Sequence, residues 1–165
     1  VLSIGPIYFA PLHALIDQIM PDPTFSGRTD IWKFAMDHVA QRPITGYGFS
    51  AFWGTEQVVY GMSGVTWANT ASHAHNGYLD LALTIGIPGS ALVTLWLMVL
   101  PLVDFYRSPR EPSSAPLQML FLRICLFAAY ESCFETMFVQ VGALWLILIV
   151  AAFGMRFLAV SRAAD

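Results

Sequence analysis

The sequence has 165 residues, of which 56% are hydrophobic and 12% are charged, and its mean hydropathy is +0.60. Soluble domains carry about twice that share of charged residues, because more than about a quarter of the surface of such a globule stays in water. The composition therefore excludes a disordered chain and a cytosolic enzyme, and it favours lipid as the surrounding solvent. The net charge of −3 offers no basic surface for nucleic acid.

The apolar segment 1–20 predicts a partial transmembrane segment. The chain starts without Met and no basic stretch precedes this segment, so we expect a piece of a longer protein rather than a signal peptide with its mature domain. Cys125 and Cys133 lie within a later apolar segment. This position indicates buried thiols rather than a disulfide framework or a metal site.

Residues 79–165 predict the remaining transmembrane helices. Leu81–Val103 carries no charged residue, and about 20 apolar residues are enough to cross the hydrocarbon core. A linker at 104–116, which contains two arginines and three prolines, follows this span, and two more spans are predicted at about 117–134 and 139–158. Arginines in the linker and at the C-terminal end mark the cytoplasmic side, so the loop 21–78 falls on the opposite side.

These features predict an all-α integral membrane protein with three to four transmembrane helices and one large extracytoplasmic loop that contains an amphipathic helix. Arg28–Gln41 has apolar residues at three- and four-residue steps, and Pro43 ends the predicted helix. This helix either lies on the membrane surface or packs over the bundle. Gly46–Phe49 predicts a tight turn, and residues 54–71, rich in Gly, Ser and Thr, predict an irregular segment.

The start of this helix predicts an anion site. Ser26 is a plausible N-cap, Gly27 lets a ligand approach the backbone, and Arg28 adds a fork that suits phosphate oxygens. The alternative is structural, with Arg28 reaching lipid headgroups or pairing with an acid such as Asp30.

Two histidines precede the uncharged span, at the predicted boundary between water and membrane. His73 or His75 can serve as a general base for a sugar hydroxyl, and Asn76 can orient that hydroxyl. The His-x-His spacing also permits a metal site. Its further ligands would come from three loosely placed side chains: Asp80, Glu56 and His38. A third interpretation is a pair of interfacial histidines beside the membrane-belt aromatic Tyr78.

The last two predicted spans contain three ionisable residues, Arg123, Glu131 and Glu135. Such residues usually face a cavity or the bundle interior, because charge is costly in lipid. Glu131 and Glu135 are four residues apart, so we expect them on one helix face, with Glu135 near the histidines. Glu135 then either contributes to the site or pairs with a helix that this sequence does not contain.

Three stretches make the sequence similar to a known family: Gly27–Trp32, Arg42–Phe49 and Ala74–Leu79. They resemble the C-terminal part of the bacterial O-antigen ligase and polysaccharide polymerase superfamily, especially its exopolysaccharide polymerases. The resemblance covers about residues 20–155.

The resemblance extends to one spacing and departs at another. His75, Asn76 and Gly86 match the ligase order of a His, a polar residue, nine residues and a Gly. The ligase pattern continues to a pair of threonines, where this chain has Gly89 and Ser90. This departure favours the polymerase side of the superfamily.

The resemblance implies a metal-independent, inverting glycosyl transfer without a cofactor, in a multi-pass protein of the bacterial inner membrane whose main loop is periplasmic. The implied donor is an oligosaccharide on polyprenyl pyrophosphate, and the implied acceptor is a polysaccharide or lipid A core. His75 is then the base and Arg28 holds the pyrophosphate. Five further residues are predicted to contact substrate: Ser26, Gly27, His73, Asn76 and Glu135.

Two other hypotheses remain open at the level of the sequence. The first hypothesis is that the chain is a non-catalytic membrane module or a truncated fragment. The second is that it is a metal-dependent membrane enzyme that uses His73 and His75. The aromatic side chains of the loop either stack on sugar rings or, as we expect, pack the loop on the bundle: Trp32, Tyr47, Phe49, Phe52 and Trp53.

Overall fold

The computed structural model describes residues 28–60, 71–108, 111–140 and 142–161. In these ranges 71% of the residues are helical and none forms a strand, which confirms the all-α prediction. The elements are α1 (Arg28–Gln41), α2 (Glu56–Tyr60), α3 (Gly77–Thr94), a π-helical turn (Leu95–Val99), α4 (Leu100–Arg107), α5 (Ala115–Glu131) and α6 (Ala143–Ser161). The predicted segment 1–20 lies outside the described residues.

Two helices are long and apolar enough to cross a membrane. One is the helical segment Gly77–Arg107, made of α3, the π-helical turn and α4, and the other is α6. Only 22% of the most apolar stretch of each is buried, whereas the core helix of a soluble protein is mostly buried. The third predicted span, α5, has 17 residues, at the short end of the length that crosses a bilayer. The total of three to four spans stays a prediction.

Helix α3 is broken at Gly86, whose φ of 74° and ψ of 174° are accessible almost only to glycine. The break leaves backbone groups without their helical partners, and the loop 43–48 supplies new ones. Three hydrogen bonds of 2.7 to 2.9 Å form: Tyr47 N–H to Leu83 O, Gly48 N–H to Thr84 O, and Ile87 N–H to Pro43 O. The predicted tight turn at Gly46–Phe49 is therefore present, and it fastens the loop to the broken helix.

Helix α1 has the predicted bounds and packs on the bundle instead of lying free on a surface. Its buried face contacts α3 and the loop that follows α1, and the fully buried Trp32 lies at its centre. Because α1 is seated on α3, Arg28 at its start is held near the beginning of α3.

Two predictions about charged residues near helix ends are wrong. The linker predicted at 104–116 begins later, because α4 continues to Arg107. Asp104 is only 4% exposed, and its carboxylate accepts a hydrogen bond from Arg156 at 2.8 Å. Because this ion pair offsets the cost of burying the charge, Asp104 can lie within the helix. At the other end α5 stops at Glu131, and Glu135 lies in the turn beyond it, so the two glutamates do not share a helix face.

The described beginning of the segment 54–71 is also more regular than predicted. Residues Glu56–Tyr60 form the short helix α2, which begins after Thr55 accepts backbone bonds from Val58 and Val59. Residues 61–70 lie outside the described residues.

Candidate functional site

Arg28 contacts the turn that follows α5. Its Nη1 donates to the carbonyl oxygen of Phe134 at 2.7 Å, and its Nη2 donates to Oε1 of Glu135 at 3.1 Å. The acid that pairs with Arg28 is therefore Glu135, and not Asp30. These two contacts use two of the five guanidinium N–H donors, and the side chain is 28% exposed. Ser26 and Gly27, the other predicted members of the anion site, lie outside the described residues.

Glu135 joins Arg28 to His75. While Oε1 accepts from Arg28, Oε2 lies 3.2 Å from Nδ1 of His75. Burial alone would raise the pKa of the Glu135 carboxyl, but the hydrogen bonds and charges of His75 and Arg28 outweigh burial and lower this pKa below its ordinary value. Glu135 is thus a carboxylate at neutral pH. It connects Arg28, the predicted anion clamp, with His75, the predicted base.

The two histidines are in direct contact. Their rings lie edge to face with centroids 4.0 Å apart, and the His75 backbone N–H donates to Nδ1 of His73 at 3.3 Å. His75 has a φ of 50°, a left-handed conformation that is uncommon outside glycine. Burial, followed by the charge of His75, lowers the pKa of His73 below 6.5, which keeps His73 neutral at pH 7.

Asp80 fastens the segments that form the site. It is 1% exposed, and it accepts hydrogen bonds from Trp53 Nε1 at 2.7 Å, from the Ala74 backbone N–H at 3.0 Å and from the Thr136 hydroxyl. One carboxylate therefore holds the aromatic loop (residues 48–53), the histidine loop (residues 71–76) and the turn after α5. The sequence pattern had indicated Asp80 only as a metal ligand. The feature that could have indicated its structural role is that Asp80 is a lone acid in the first turn of an apolar helix.

Asn76 forms the N-cap of α3. Its Oδ1 accepts from the Leu79 N–H at 3.1 Å, and its Nδ2 donates to the Cys133 carbonyl at 3.1 Å. With 1% exposure, it connects the start of α3 to the turn after α5. The structure thus gives Asn76 a structural role, and its predicted contact with a substrate hydroxyl stays a prediction.

The described residues contain one group that could hold a metal ion, namely His73, His75 and Glu135, whose ligand atoms all lie within 4.8 Å of one another. Glu135 supplies the third ligand, and neither Glu56 nor His38 belongs to this group. The Nδ1 of His38 instead bonds the Phe34 carbonyl at 2.8 Å. Arg28 already touches Glu135, and its positive charge opposes a second cation at the same carboxylate.

The aromatic side chains divide into buried and exposed ones. Trp32 is fully buried and donates from Nε1 to the Ala74 carbonyl at 2.9 Å, and Phe52 is 3% exposed. These two confirm the expected packing of the loop on the bundle. Phe49, in contrast, is 70% exposed and packs on little of the protein.

A profile of the O-antigen ligase family matches residues 1–94, which is more than half of the chain. The chain belongs to the O-antigen ligase family. The match contains Arg28 and both histidines, ends together with α3, and does not reach Glu135. The matched region begins and ends earlier than the 20–155 expected from the resemblance. Searches among curated proteins and among solved structures gave no match.

Membership in this family and the two long apolar helices indicate a membrane protein related to ligases and polymerases of polysaccharides. The family resemblance found in the sequence is therefore confirmed.

Proposed function

We propose that this chain is the site-bearing part of a membrane glycosyltransferase of surface polysaccharide synthesis. It transfers an oligosaccharide from polyprenyl pyrophosphate to a hydroxyl of a growing polysaccharide or of lipid A core. The observation that carries the proposal is the series of contacts from Arg28 through Glu135 to His75. This series brings a cation suited to pyrophosphate next to a base suited to a hydroxyl. The family supports a lipid-linked polysaccharide as the substrate class.

Arg28 stabilises the leaving group in this proposal. As the glycosidic C–O bond breaks, negative charge grows on the pyrophosphate, so a positioned guanidinium binds the transition state more tightly than the ground state. Its place at the start of α1 adds the partial positive charge of the helix N-terminus. A bound pyrophosphate competes with Glu135 for Arg28. Once Arg28 binds the pyrophosphate, the Glu135 carboxylate interacts more strongly with His75.

His75 removes the proton of the acceptor hydroxyl. The contact with Glu135 favours a proton on Nδ1 and leaves the lone pair on Nε2 free to accept one. The acceptor proton moves to Nε2 while the acceptor oxygen bonds to the anomeric carbon on the face opposite the departing pyrophosphate. Glu135 stabilises the imidazolium that results, in the way that a carboxylate supports the histidine of a catalytic triad.

The proposal puts the loop 21–78 on the periplasmic face of the bacterial inner membrane. The site lies at the beginning of α3 and just beyond the end of α5. Arg107 lies at the far end of the helical segment Gly77–Arg107, and arginines favour the cytoplasmic side. The site and Arg107 are thus at opposite ends of this helical segment, as expected for a site on the periplasmic side.

Replacement of the base tests the proposal. In membranes that contain the full-length protein, we expect His75→Ala to reduce donor-dependent polymer extension by about 100-fold or more, the contribution expected of a general base. Protein abundance in each membrane preparation is the control for folding. Normal extension by His75→Ala would rule out this base.

Replacement of the anion clamp gives a second test. A lysine retains the charge but not the fork, so we expect Arg28→Lys to slow transfer about tenfold, as for the loss of a charge-assisted hydrogen bond. The matched control is Arg42→Lys, since Arg42 lies over the Tyr47 ring, with its guanidinium carbon 4.7 Å from the ring centroid. Equal rates for the two variants would show that Arg28 supplies only general charge or structure.

The ligand geometry of His73, His75 and Glu135 also favours a second candidate, a metal-dependent membrane enzyme. Addition of a chelator distinguishes the two candidates. We expect extension to continue at an unchanged rate in EDTA, whereas loss of extension that zinc or another divalent ion restores would support the metal-dependent enzyme.

A further inference from the structure

A cleft of about 240 Å³ opens beside His73. It lies between the aromatic loop 48–53, the first turns of α3 and the segment 136–140. Its size is below the range of roughly 300–1,000 Å³ that encloses a drug-sized ligand. The cleft therefore has room for a single small ring and not for a long oligosaccharide.

The walls of the cleft combine aromatic rings with uncharged polar groups. Phe49 and Trp53 provide the rings, and Phe49 is 70% exposed although such a side chain is normally buried. The polar side chains of Ser50, Ser72 and Gln140 form no hydrogen bond with other described residues. An aromatic face next to free hydroxyl and amide groups matches a sugar ring, which has an apolar face and a rim of hydroxyls.

Charge in the cleft selects against an ionic ligand. The buried Asp80 carboxylate at the cleft is occupied by three donors of the protein itself. Nδ1 of His73 accepts the His75 backbone N–H, and the remaining side chains that line the cleft are uncharged. The part of the cleft formed by described residues therefore offers no free charge, and an uncharged sugar suits it better than an acidic one.

Backbone strain also concentrates here. Among the described residues only Ser50 and His75 have a positive φ without being glycine, with values of 53° and 50°. Ser50 lines the cleft, and His75 lies next to His73, which lines it as well. Strained backbone persists where the surrounding structure holds it, and it clusters at sites that bind or react.

The order of groups along the site distinguishes acceptor from donor. Arg28 contacts Glu135, Glu135 contacts His75, and His75 contacts His73, beyond which the cleft begins. The pyrophosphate of the donor belongs at the Arg28 end. A sugar in the cleft lies beside His73, and Arg28 does not line the cleft, so the cleft suits the acceptor better than the pyrophosphate of the donor.

We propose that this cleft binds one neutral sugar ring of the acceptor saccharide and holds its hydroxyl toward His75. The assignment rests on the proposed function, since it takes His75 as the base. Phe49 covers one face of the ring, and Gln140 and Ser50 bind its hydroxyls.

Transfer kinetics of the full-length protein test this assignment. We expect Phe49→Ala to raise the KM for the acceptor about tenfold, as for loss of a stacked aromatic contact, with kcat and the KM for the donor unchanged within about twofold. Gln140→Ala is the second variant, and it should change the same constant in the same direction. The matched control is Phe157→Ala, which removes an equally exposed ring near the C-terminal end of α6 that does not line the cleft. An unchanged acceptor KM in both cleft variants, or a raised donor KM, would overturn the assignment.

Binding measured without turnover separates this assignment from the proposed function. The probe is an oligosaccharide of one to three repeat units, released by mild acid from the surface polysaccharide of the source strain. Calorimetric titration of His75→Ala should show binding, and the added Phe49→Ala should weaken that binding about tenfold. If the probe binds in this way but His75→Ala transfers at the normal rate, the base assignment fails and the sugar site stands. If His75→Ala is inactive and the added Phe49→Ala leaves binding intact, the sugar site fails alone.

Discussion

Asp80 is the residue whose replacement should disturb the structure of the site most, because its carboxylate holds three of the segments that form the site. In Asp80→Ala the Trp53 ring N–H and the Ala74 backbone N–H lose their acceptor, while the Thr136 hydroxyl can rotate toward another one. A buried donor without a partner costs about 1–3 kcal/mol. Removal of the buried carboxylate relieves its own desolvation, so we expect a net loss of stability of about 2–3 kcal/mol, near the low end of the range for two donors.

The comparison with Asp80→Asn isolates this effect. The asparagine oxygen still accepts from Trp53 and Ala74, and its amide donates to the Thr136 hydroxyl, so we expect a loss below about 1.5 kcal/mol. The assay is the thermal midpoint of the full-length protein in detergent, in which Asp80→Ala should lie about 5–10 °C below the parent. Asp37→Ala, on the exposed face of α1, is the control. Equal midpoints for Asp80→Ala and Asp37→Ala would refute the reasoning.

Three further predictions concern the helix break and the pH dependence of stability. Gly86→Ala should lower the free energy of unfolding by about 2 kcal/mol or more, because the backbone angles of Gly86 exclude other residues and an added Cβ would overlap the Ile44 carbonyl. The control is Gly142→Ala, which should change the thermal midpoint little, because an added Cβ there meets nothing within 4 Å. The folded state lowers the pKa of His73, so the free energy of unfolding should fall as the pH drops below 6.5, and this decline should vanish in His73→Gln. The lowered pKa of Glu135 adds stability that is present at neutral pH and is lost as the pH falls below 4.5, a second decline that Glu135→Gln should remove.

Local pattern was sufficient to predict α1. Its apolar residues recur at helical steps, Pro43 cannot continue a helix, and the observed bounds Arg28–Gln41 agree with the prediction. The glycines of the turn at Gly46–Phe49 likewise indicated its backbone conformation, since Gly46 and Gly48 both have positive φ. These features depend on residues close together in the sequence.

The start of α3 and the position of Glu135 required knowledge of distant contacts. The predicted span began at Leu81 because Asp80 is charged, but the helix begins at Gly77, since Asn76 caps it and three donors neutralise the cost of burying Asp80. Glu135 was assigned to a span by its apolar neighbours. Its partners Arg28 and His75 are 107 and 60 residues away, a pairing that no local pattern contains.

The same limit applies to the candidate site. Arg28 and His75 were each predicted from their own surroundings, as an anion clamp and as a base. The carboxylate that joins them, and the cleft beside His73, arise only when α1, the histidine loop and the turn after α5 come together.

Transfer rates of His75→Ala, Glu135→Gln and the double variant test the central claim most directly, which is that Glu135 acts through His75. Glu135→Gln alone should slow transfer about tenfold or more, because the amide no longer stabilises the imidazolium, while Glu131→Gln, at the last residue of α5, should not. The double variant should be no slower than His75→Ala alone, because residues that act as a unit are not additive. Effects that multiply in the double variant would contradict the account.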